Sequence, residues 1–178
     1  FHVDPKLQKL FPDLPEADNI YAATLYHADL RIGQLLDALD DLKISDQTLV
    51  IFSSDNGPAR GSPNSPIALS YDSATGPGHG IGAAKGITGG RRAFKGALME
   101  GGIGVPFIAR WPGKISAGKV DKTSVLSAVD LLPTFCELGN VKLPRSYKPD
   151  GISQVSALMG KGNPLRKKPI FWRMSAPW

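Results

Sequence analysis

The sequence TLVIFSSDNGP, residues 48–58, carries the strongest fold signal in the chain. Its first half is a continuous β-branched and apolar run, which is typical of a strand buried on both faces of a sheet. The run ends at Asp55, Asn56, Gly57 and Pro58, which together form a strong turn signal. We therefore predict a buried strand over 48–54 that ends in a sharp turn.

A long amphipathic helix is predicted upstream of this strand, over residues 16–42. Its apolar residues recur mostly at steps of three and four, with Asp, Arg and Gln between them. They are Ile20, Ala23, Leu25, Ile32, Leu35, Leu36 and Leu39. A glycine inside a helix is costly, so we interpret Gly33 as a place where a neighbouring element approaches closely.

Downstream, a second strand is predicted over 105–111, helices over 127–138 and 150–159, and a late strand over 169–174. The alternation of helices and strands favours an α/β fold with a mostly parallel central sheet covered by helices on both faces. Three candidate strands are few for such a sheet, which commonly has five or six. We therefore expect the chain to be truncated at its N-terminus and to form part of a larger domain.

Composition excludes several classes of protein. The 178 residues are 42% hydrophobic, as in a folded globular domain, and no apolar stretch approaches the roughly 20 residues of a membrane span. A single cysteine, Cys136, excludes an internal disulfide framework and a Cys-rich zinc site. The net charge of +5 favours anionic partners. The basic clusters of the chain are not interleaved with aromatic residues, so we expect no nucleic-acid partner.

Two segments carry candidate chemistry. Asp55 and Asn56 follow the predicted strand at its carboxyl end, where open α/β sheets place their ligands. A carboxylate and an amide oxygen on adjacent residues could ligate one hard cation, although the pair also fits a plain turn. Forty residues further on, residues 88–102 combine five glycines and three cations around Glu100. This second segment fits either an oxyanion site or a solvated basic loop.

The order of these segments resembles the second half of the sulfatase catalytic domain, in the alkaline phosphatase superfamily. The resemblance covers most of the chain, and its ordered stretches are 21–39, 40–57, 95–103, 105–113, 129–134 and 150–151. It implies part of an alkaline phosphatase-like sandwich. Residues 1–160 would form the C-terminal part of the catalytic domain, and residues 161–178 the start of a small C-terminal subdomain or a linker strand.

The resemblance also implies a site. Sulfatases use the Asp–Asn pair after this strand to ligate calcium, so Asp55 and Asn56 take the metal role here, for calcium or magnesium. The sulfatase lysine five residues before Glu-Gly-Gly contacts the sulfate, and Lys95 stands at that spacing. Lys95 is therefore the expected catalytic and substrate-binding residue. His79, in the long loop over 57–94, is a further expected substrate contact.

The family nucleophile is a formylglycine made from a cysteine or serine in a Cys-x-Pro-x-Arg type motif. Cys136 lacks that context, so the formylglycine and the N-terminal half of the catalytic domain are expected upstream of this chain. The implied substrate is a sulfated small molecule, such as an aryl sulfate, or a sulfated glycan, and the chain alone would be inactive. The family also implies a periplasmic, secreted or lysosomal location.

Two alternatives stay open from the sequence. One is a phosphonate or phosphodiester hydrolase of the same superfamily, which uses the same scaffold and metal pair. The other is a non-catalytic sulfatase-like fragment that binds anionic glycans. The chain also departs from many sulfatases at Gly104, where they carry arginine, which puts local packing or substrate preference in doubt. His2 and His27 are weaker candidates than His79 for a role in the site.

Overall fold

The computed structural model describes residues 4–58 and 88–173. Its helices are α1 (Pro5–Gln8), α2 (Glu16–Asp41), α3 (Glu100–Ile103), α4 (Leu131–Leu138) and α5 (Val155–Leu158), and its strands are β1 (Val50–Ser53) and β2 (Phe107–Arg110). Short 3-10 helices occupy Ser45–Gln47 and Ala128–Asp130. The described residues form two compact units. The first contains 4–43, 52–58, 88–107 and 173, and the second contains 44–51 and 108–172.

Helices α1 and α2 open the first unit. The side chain of Asn19 joins them, because its Nδ2 donates to the carbonyl oxygens of Gln8 at 2.8 Å and Phe11 at 2.7 Å. The rings of Phe11 and Tyr26 meet edge to face with centroids 6.1 Å apart. Ile20 and Ala23 of α2 are buried, so the helix predicted over 16–42 is confirmed, together with part of its apolar face.

Strands β1 and β2 pair in a two-stranded sheet. The strand predicted over 48–54 is confirmed, although it is shorter than predicted, and β2 lies within the predicted 105–111. The expected burial of both faces is wrong for the described residues, since Phe52 is 46% and Ile108 60% exposed. The physical reason is the size of the described sheet, in which each of the two strands has one neighbour.

Two further expectations are also wrong. Residues 169–173 form no strand, because Pro169 lacks a backbone donor and the described sheet pairs only β1 with β2; Met174 lies outside the described residues. No described atom lies within 4 Å of a Cβ built on Gly33, so the expected close approach is not seen.

The helix predicted over 150–159 is confined to α5. Residues 150–154 are not helical because side chains capture their backbone donors. The amide of Ile152 donates to Asp130 Oδ1 at 2.9 Å, and that of Gln154 donates to Thr134 Oγ1 at 3.0 Å.

A buried polar cluster organises the second unit around Asp130, which is fully buried. Ser127 and Asp130 form a capping box in which the amide of Ser127 donates to Asp130 Oδ2 at 2.9 Å. Arg166 pairs with the same oxygen at 2.5 Å, and the Asp130 backbone carbonyl accepts from Thr134 Oγ1 at 2.5 Å. The cluster therefore ties three separate stretches of the chain together. The helix predicted over 127–138 is present as the 3-10 turn Ala128–Asp130 followed by α4, which begins at Leu131 and ends at Leu138 as predicted.

The environment of Asp130 favours its ionised form. Burial alone raises the pKa of this carboxyl. The hydrogen bond from Arg166, the backbone N–H groups of Ile152 and Ser127, and the positive charge of Arg166 outweigh burial and lower that pKa below its usual range. Asp130 is therefore an ionised, fully paired anchor inside the second unit.

No helix in the described part of the chain is long and apolar enough to cross a membrane. The domain boundary predicted between residues 160 and 161 stays a prediction.

Candidate functional site

The turn after β1 is held by its own side chains. The backbone amide of Asn56 donates to Asp55 Oδ1 at 3.0 Å, and Ser54 Oγ donates to the carbonyl oxygen of Asn56 at 3.0 Å. Asn56 Nδ2 donates to the carbonyl oxygen of Gly57 at 2.9 Å. These are the local bonds of a plain turn, and they fix the orientation of both side chains while Asp55 stays exposed.

Lys95 lies in a second turn, just before α3. The amide of Ala97 donates to the carbonyl oxygen of Phe94 at 3.1 Å, which closes this turn around Lys95 and Gly96. Gly96 has a φ of 89°, a backbone conformation that favours glycine. The side chain of Lys95 is exposed. Because the Lys95 side chain is exposed, it is the hydrogen-bonded backbone of the turn that fixes where the Lys95 residue lies.

Backbone hydrogen bonds bring these two turns together. The amide of Gly57 donates to the carbonyl oxygen of Gly102 at 2.8 Å, and the amide of Lys95 donates to the carbonyl oxygen of Pro58 at 2.9 Å. A Cβ on Gly57 would lie 1.8 Å from the carbonyl oxygen of Gly101, a distance that no real contact allows. The segment holding Asp55 and Asn56 thus packs directly on the segment holding Lys95, and glycine is required where they meet.

Two more glycines permit the same close packing on the other side. A Cβ on Gly101 would lie 1.9 Å from the carbonyl oxygen of Ala93, and a Cβ on Gly102 would lie 2.1 Å from that of Ala97. Both glycines are buried. Ala93 itself has a φ of 68°, which is uncommon for a residue with a side chain and indicates local strain. The end of the glycine-rich segment, at Gly101 and Gly102, is therefore tightly packed.

The structure supplies a reason for glycine at position 104. Arg91 Nη1 donates to the carbonyl oxygen of Gly104 at 3.3 Å. A Cβ on Gly104 would lie 2.6 Å from the Glu100 carbonyl oxygen, 3.1 Å from Glu100 Oε2 and 3.4 Å from Arg91 Cδ. The side chains of Arg91 and Glu100 thus approach the space that a longer residue would need. Local packing is therefore one reason for glycine at this position.

The side chains of Asp55 and Asn56 are candidate ligands for a divalent cation. They offer one carboxylate and one amide oxygen, the hard donors that calcium and magnesium prefer. Calcium takes six to eight oxygen ligands, which is more than the side chains of these two residues can supply. Within 4–58 and 88–173, no group of three or more His, Cys, Asp or Glu residues could hold a metal. The pair therefore fits as part of a metal shell, which would need further ligands.

The histidine and cysteine candidates add little to the description of the site. His79 lies outside the described residues. His27 lies on α2, half-buried, and its Nε2 accepts a hydrogen bond from Arg31 Nε at 3.1 Å, which indicates a structural role. Cys136 is a free, half-buried cysteine in α4. Sequence reasoning missed the packing role of Gly57 and Gly101, although the glycines on both sides of the contact were a visible signal.

Comparison with known proteins identifies the family. The profile of the Sulfatase family matches residues 3–141. The chain belongs to the sulfatase family. It is 32% identical over 152 residues to arylsulfatase A of Homo sapiens, covering 85% of this chain and 26% of that protein. It is 33% identical over 158 residues to the N-acetylgalactosamine-6-sulfatase of Canis lupus familiaris, covering 85% of this chain and 25% of that protein.

Solved structures agree with this assignment. The crystal structure of Ps i-CgsB in complex with k-i-k-neocarrahexaose matches 91% of this chain and 31% of its own, with a TM-score of 0.71 and 28% identity. The PsFucS1 sulfatase from Pseudoalteromonas sp. matches 87% of this chain and 26% of its own, with a TM-score of 0.63 and 30% identity. The described fold is therefore that of a segment of a sulfatase, and the chain spans about a quarter of the length of the curated relatives quoted above.

Proposed function

We propose that this chain is the C-terminal part of the catalytic domain of a sulfuric ester hydrolase. The complete protein would cleave the sulfate ester of a sulfated sugar or an aryl alcohol. In this proposal Asp55 and Asn56 hold a divalent cation, calcium or magnesium, and Lys95 binds the sulfate. The nucleophile, a formylglycine, and the N-terminal half of the alkaline phosphatase-like sandwich lie outside these residues. His79 is a further proposed substrate contact.

One observation carries the proposal. The segment with Asp55 and Asn56 is bound to residues 95–102 by two backbone hydrogen bonds, one from Lys95 itself and one to Gly102 in α3, although forty residues separate Asp55 from Lys95 in sequence. Such fixed placement suits groups that must meet one small anion from two sides. Preorganised charges are effective in catalysis because they need not reorganise when negative charge develops in the transition state.

Each residue would contribute a distinct interaction. The Lys95 ammonium would attract the sulfate and offset the negative charge that develops on its oxygens and on the leaving oxygen. A bound divalent cation supplies a second positive charge to the sulfate oxygens. The oxygens of Asp55 and Asn56 would hold that cation, and the bonds within the turn orient both side chains for this role.

The choice of substrate and location belongs to the proposal as well. The carrageenan-derived ligand of one structural neighbour and the names of the relatives favour a sulfated glycan or a sulfated small molecule here. By resemblance to the sulfatase family, we propose a periplasmic, secreted or lysosomal protein. The two rival functions, phosphoryl-ester hydrolysis and glycan binding without cleavage, are separated by the experiment below.

The experiment uses the polypeptide as its source makes it, assayed with an aryl sulfate and with the matching aryl phosphate and phosphonate ester. We expect cleavage of the sulfate ester, and a loss of about 10²–10³ in kcat for Lys95→Ala, as for other preorganised charge-stabilising groups. Lys114→Ala is the matched control, because Lys114 is an exposed lysine in the turn after β2. Activity of Lys95→Ala within a few-fold of the unchanged enzyme would remove Lys95 from the site.

Calcium titration tests the metal assignment separately. Asp55→Ala should abolish calcium binding at the site, whereas Asp29→Ala, which removes an exposed carboxylate on α2, should leave it unchanged. Preferential turnover of the phosphate or phosphonate ester would favour the phosphoryl-transfer alternative. Calcium and glycan binding without turnover of any ester would favour the binding fragment.

A further inference from the structure

The second unit carries a groove with a volume of about 390 Å³. This lies within the range of small-molecule binding sites. Its lining includes Val125, Asn163, Arg166, Ile170 and Trp172. None of these residues belongs to the Asp55, Asn56 and Lys95 set, and the proposed function assigns the groove no role.

Hydrogen bonds hold the walls of the groove in place. Asn163 Nδ2 donates to the carbonyl oxygen of Thr123 at 3.0 Å. Arg166 is held by its ion pair with the fully buried Asp130. The carbonyl oxygen of Val125 accepts from Gln154 Nε2 at 3.3 Å, and Gln154 is also buried. Because these partners are fixed, the polar groups of the groove are placed before any ligand binds, which lowers the entropic cost of binding.

The chemistry of the lining matches a saccharide. Trp172 is 46% exposed and offers an apolar aromatic surface to a ligand. The amide of Asn163 and the guanidinium of Arg166 are planar polar groups that bond hydroxyl or sulfate oxygens. A sugar ring combines an apolar C–H face with a rim of polar groups. An aromatic side chain beside planar hydrogen-bonding groups fits both parts of such a ring.

The charge near the groove indicates that the saccharide is anionic. Arg166 is paired with the ionised Asp130, so that pair adds little net charge. Lys167 and Lys168 lie in the segment between two lining residues, Arg166 and Ile170, and both are exposed. Basic residues also outnumber acidic ones across 108–172. Positive charge of this kind attracts a sulfated chain and makes its binding dependent on salt.

We propose that this groove binds a sulfated saccharide. Trp172 stacks on a sugar ring, Asn163 and Arg166 bond its polar groups, and Lys167 and Lys168 attract its sulfates. The inference goes beyond the proposed function because binding here requires no cleavage. A second contact of this kind would retain a long sulfated polymer on the protein between individual turnovers.

The test measures binding of a sulfated carrageenan hexasaccharide and of its desulfated counterpart to the polypeptide as its source makes it. Trp172→Ala should weaken binding of the sulfated hexasaccharide about tenfold or more, as for an aromatic anchor that a ligand covers. Trp172→Phe, which keeps an aromatic face, should retain most of the affinity. Lys167→Gln combined with Lys168→Gln should weaken binding of the sulfated probe and reduce its salt dependence. Turnover of a small aryl sulfate should stay unchanged in all these variants.

Lys142→Gln combined with Lys148→Gln is the matched control, because both lysines are exposed in the same unit and neither lines the groove. Unchanged affinity in both the Trp172→Ala protein and the double lysine variant would overturn the proposal. A lower melting temperature in Trp172→Ala with unchanged saccharide binding would also overturn it, since the groove would then pack against other polypeptide. Saccharide binding that depends on Trp172 in a protein without sulfatase activity would support the groove while contradicting the proposed function.

Discussion

At the scale of single residues, the site depends on which side chains are absent as much as on which are present. Gly57, Gly101 and Gly102 have ordinary backbone conformations, so the lack of a side chain matters at these positions because of space. The carbonyl oxygens facing them would lie within 2.1 Å of an added Cβ. A sequence shows that glycines are present, but it does not show which atom occupies the space beside each one.

Asp130 gives a prediction at this scale. Since its folded pKa lies below the unfolded value of about 3.9, its contribution to stability is fully present above that value and is lost as pH falls through the folded pKa. Asp130→Asn should therefore lower the free energy of unfolding by about 3 kcal/mol at pH 7, as for a broken buried ion pair. The deficit should shrink as the pH falls below about 4.

Denaturant unfolding at several pH values measures this difference. Asp150→Asn is the control, because Asp150 is exposed and lies beside the same cluster in sequence. A deficit for Asp130→Asn that is equal at pH 7 and pH 3 would contradict the assignment of Asp130 as an ionised anchor.

At the scale of elements, the sequence predicted well those helices and strands that depend on their own residues. The helix over 16–42 and the strand inside 48–54 rest on periodicity and on a turn signal, and both are present in the structure. The strand predicted over 169–174 was wrong for residues 169–173 because a strand also needs a partner, which its own sequence does not reveal. The helix predicted from 150 was shortened by the side chains of Asp130 and Thr134, which lie about twenty residues away.

The same limit applies to the candidate site. Resemblance to the family placed Asp55, Asn56 and Lys95 in one site, and the structure brings their two turns together through the backbone. Periodicity and spacing could not have predicted that contact, since the hydrogen bonds join peptide groups, which every residue carries. The roles of the three side chains stay predictions.

The contact between the turn after β1 and helix α3 yields a second prediction. Gly57→Ala should lower the free energy of unfolding by about 3 kcal/mol or more, because the new methyl group would meet a backbone oxygen that cannot move away cheaply. Gly33→Ala is the control. It adds the same methyl group inside α2, where no described atom lies within 4 Å, and should stabilise the protein by up to about 1 kcal/mol.

Thermal and denaturant unfolding of the two variants measure the contrast. Similar stability of the Gly57→Ala and Gly33→Ala proteins would show that the two turns do not meet as described.

At the scale of the whole molecule, the described units bury little apolar surface. Among the described residues, Ile20 and Ala23 are the buried hydrophobic ones, while large side chains such as Leu25, Leu35 and Phe171 are 53%, 55% and 83% exposed. Exposed apolar surface of this extent usually marks an interface. It agrees with a chain that spans about a quarter of the length of its curated relatives.

This surface leads to the third prediction. Residues 1–178 produced alone should bind a hydrophobic dye such as anilinonaphthalene sulfonate strongly and should self-associate, because exposed apolar patches promote association and aggregation. The polypeptide as its source makes it should bind much less dye per chain. Dye fluorescence and light scattering measure both properties. A monomeric, dye-free preparation of residues 1–178 would show that its apolar surface is covered within the chain itself.

The close packing at Gly57, Gly101 and Gly102 also has a genetic consequence. Every missense change that one nucleotide can make in a glycine codon introduces a side chain that begins with a Cβ, and at these positions a Cβ collides with the backbone. Selection should therefore remove missense variants at these three codons, even those that replace glycine with alanine or serine. The exposed Gly89 and Gly90 in the same segment have open space beside them, so their codons should tolerate more change, limited only by their positive φ angles.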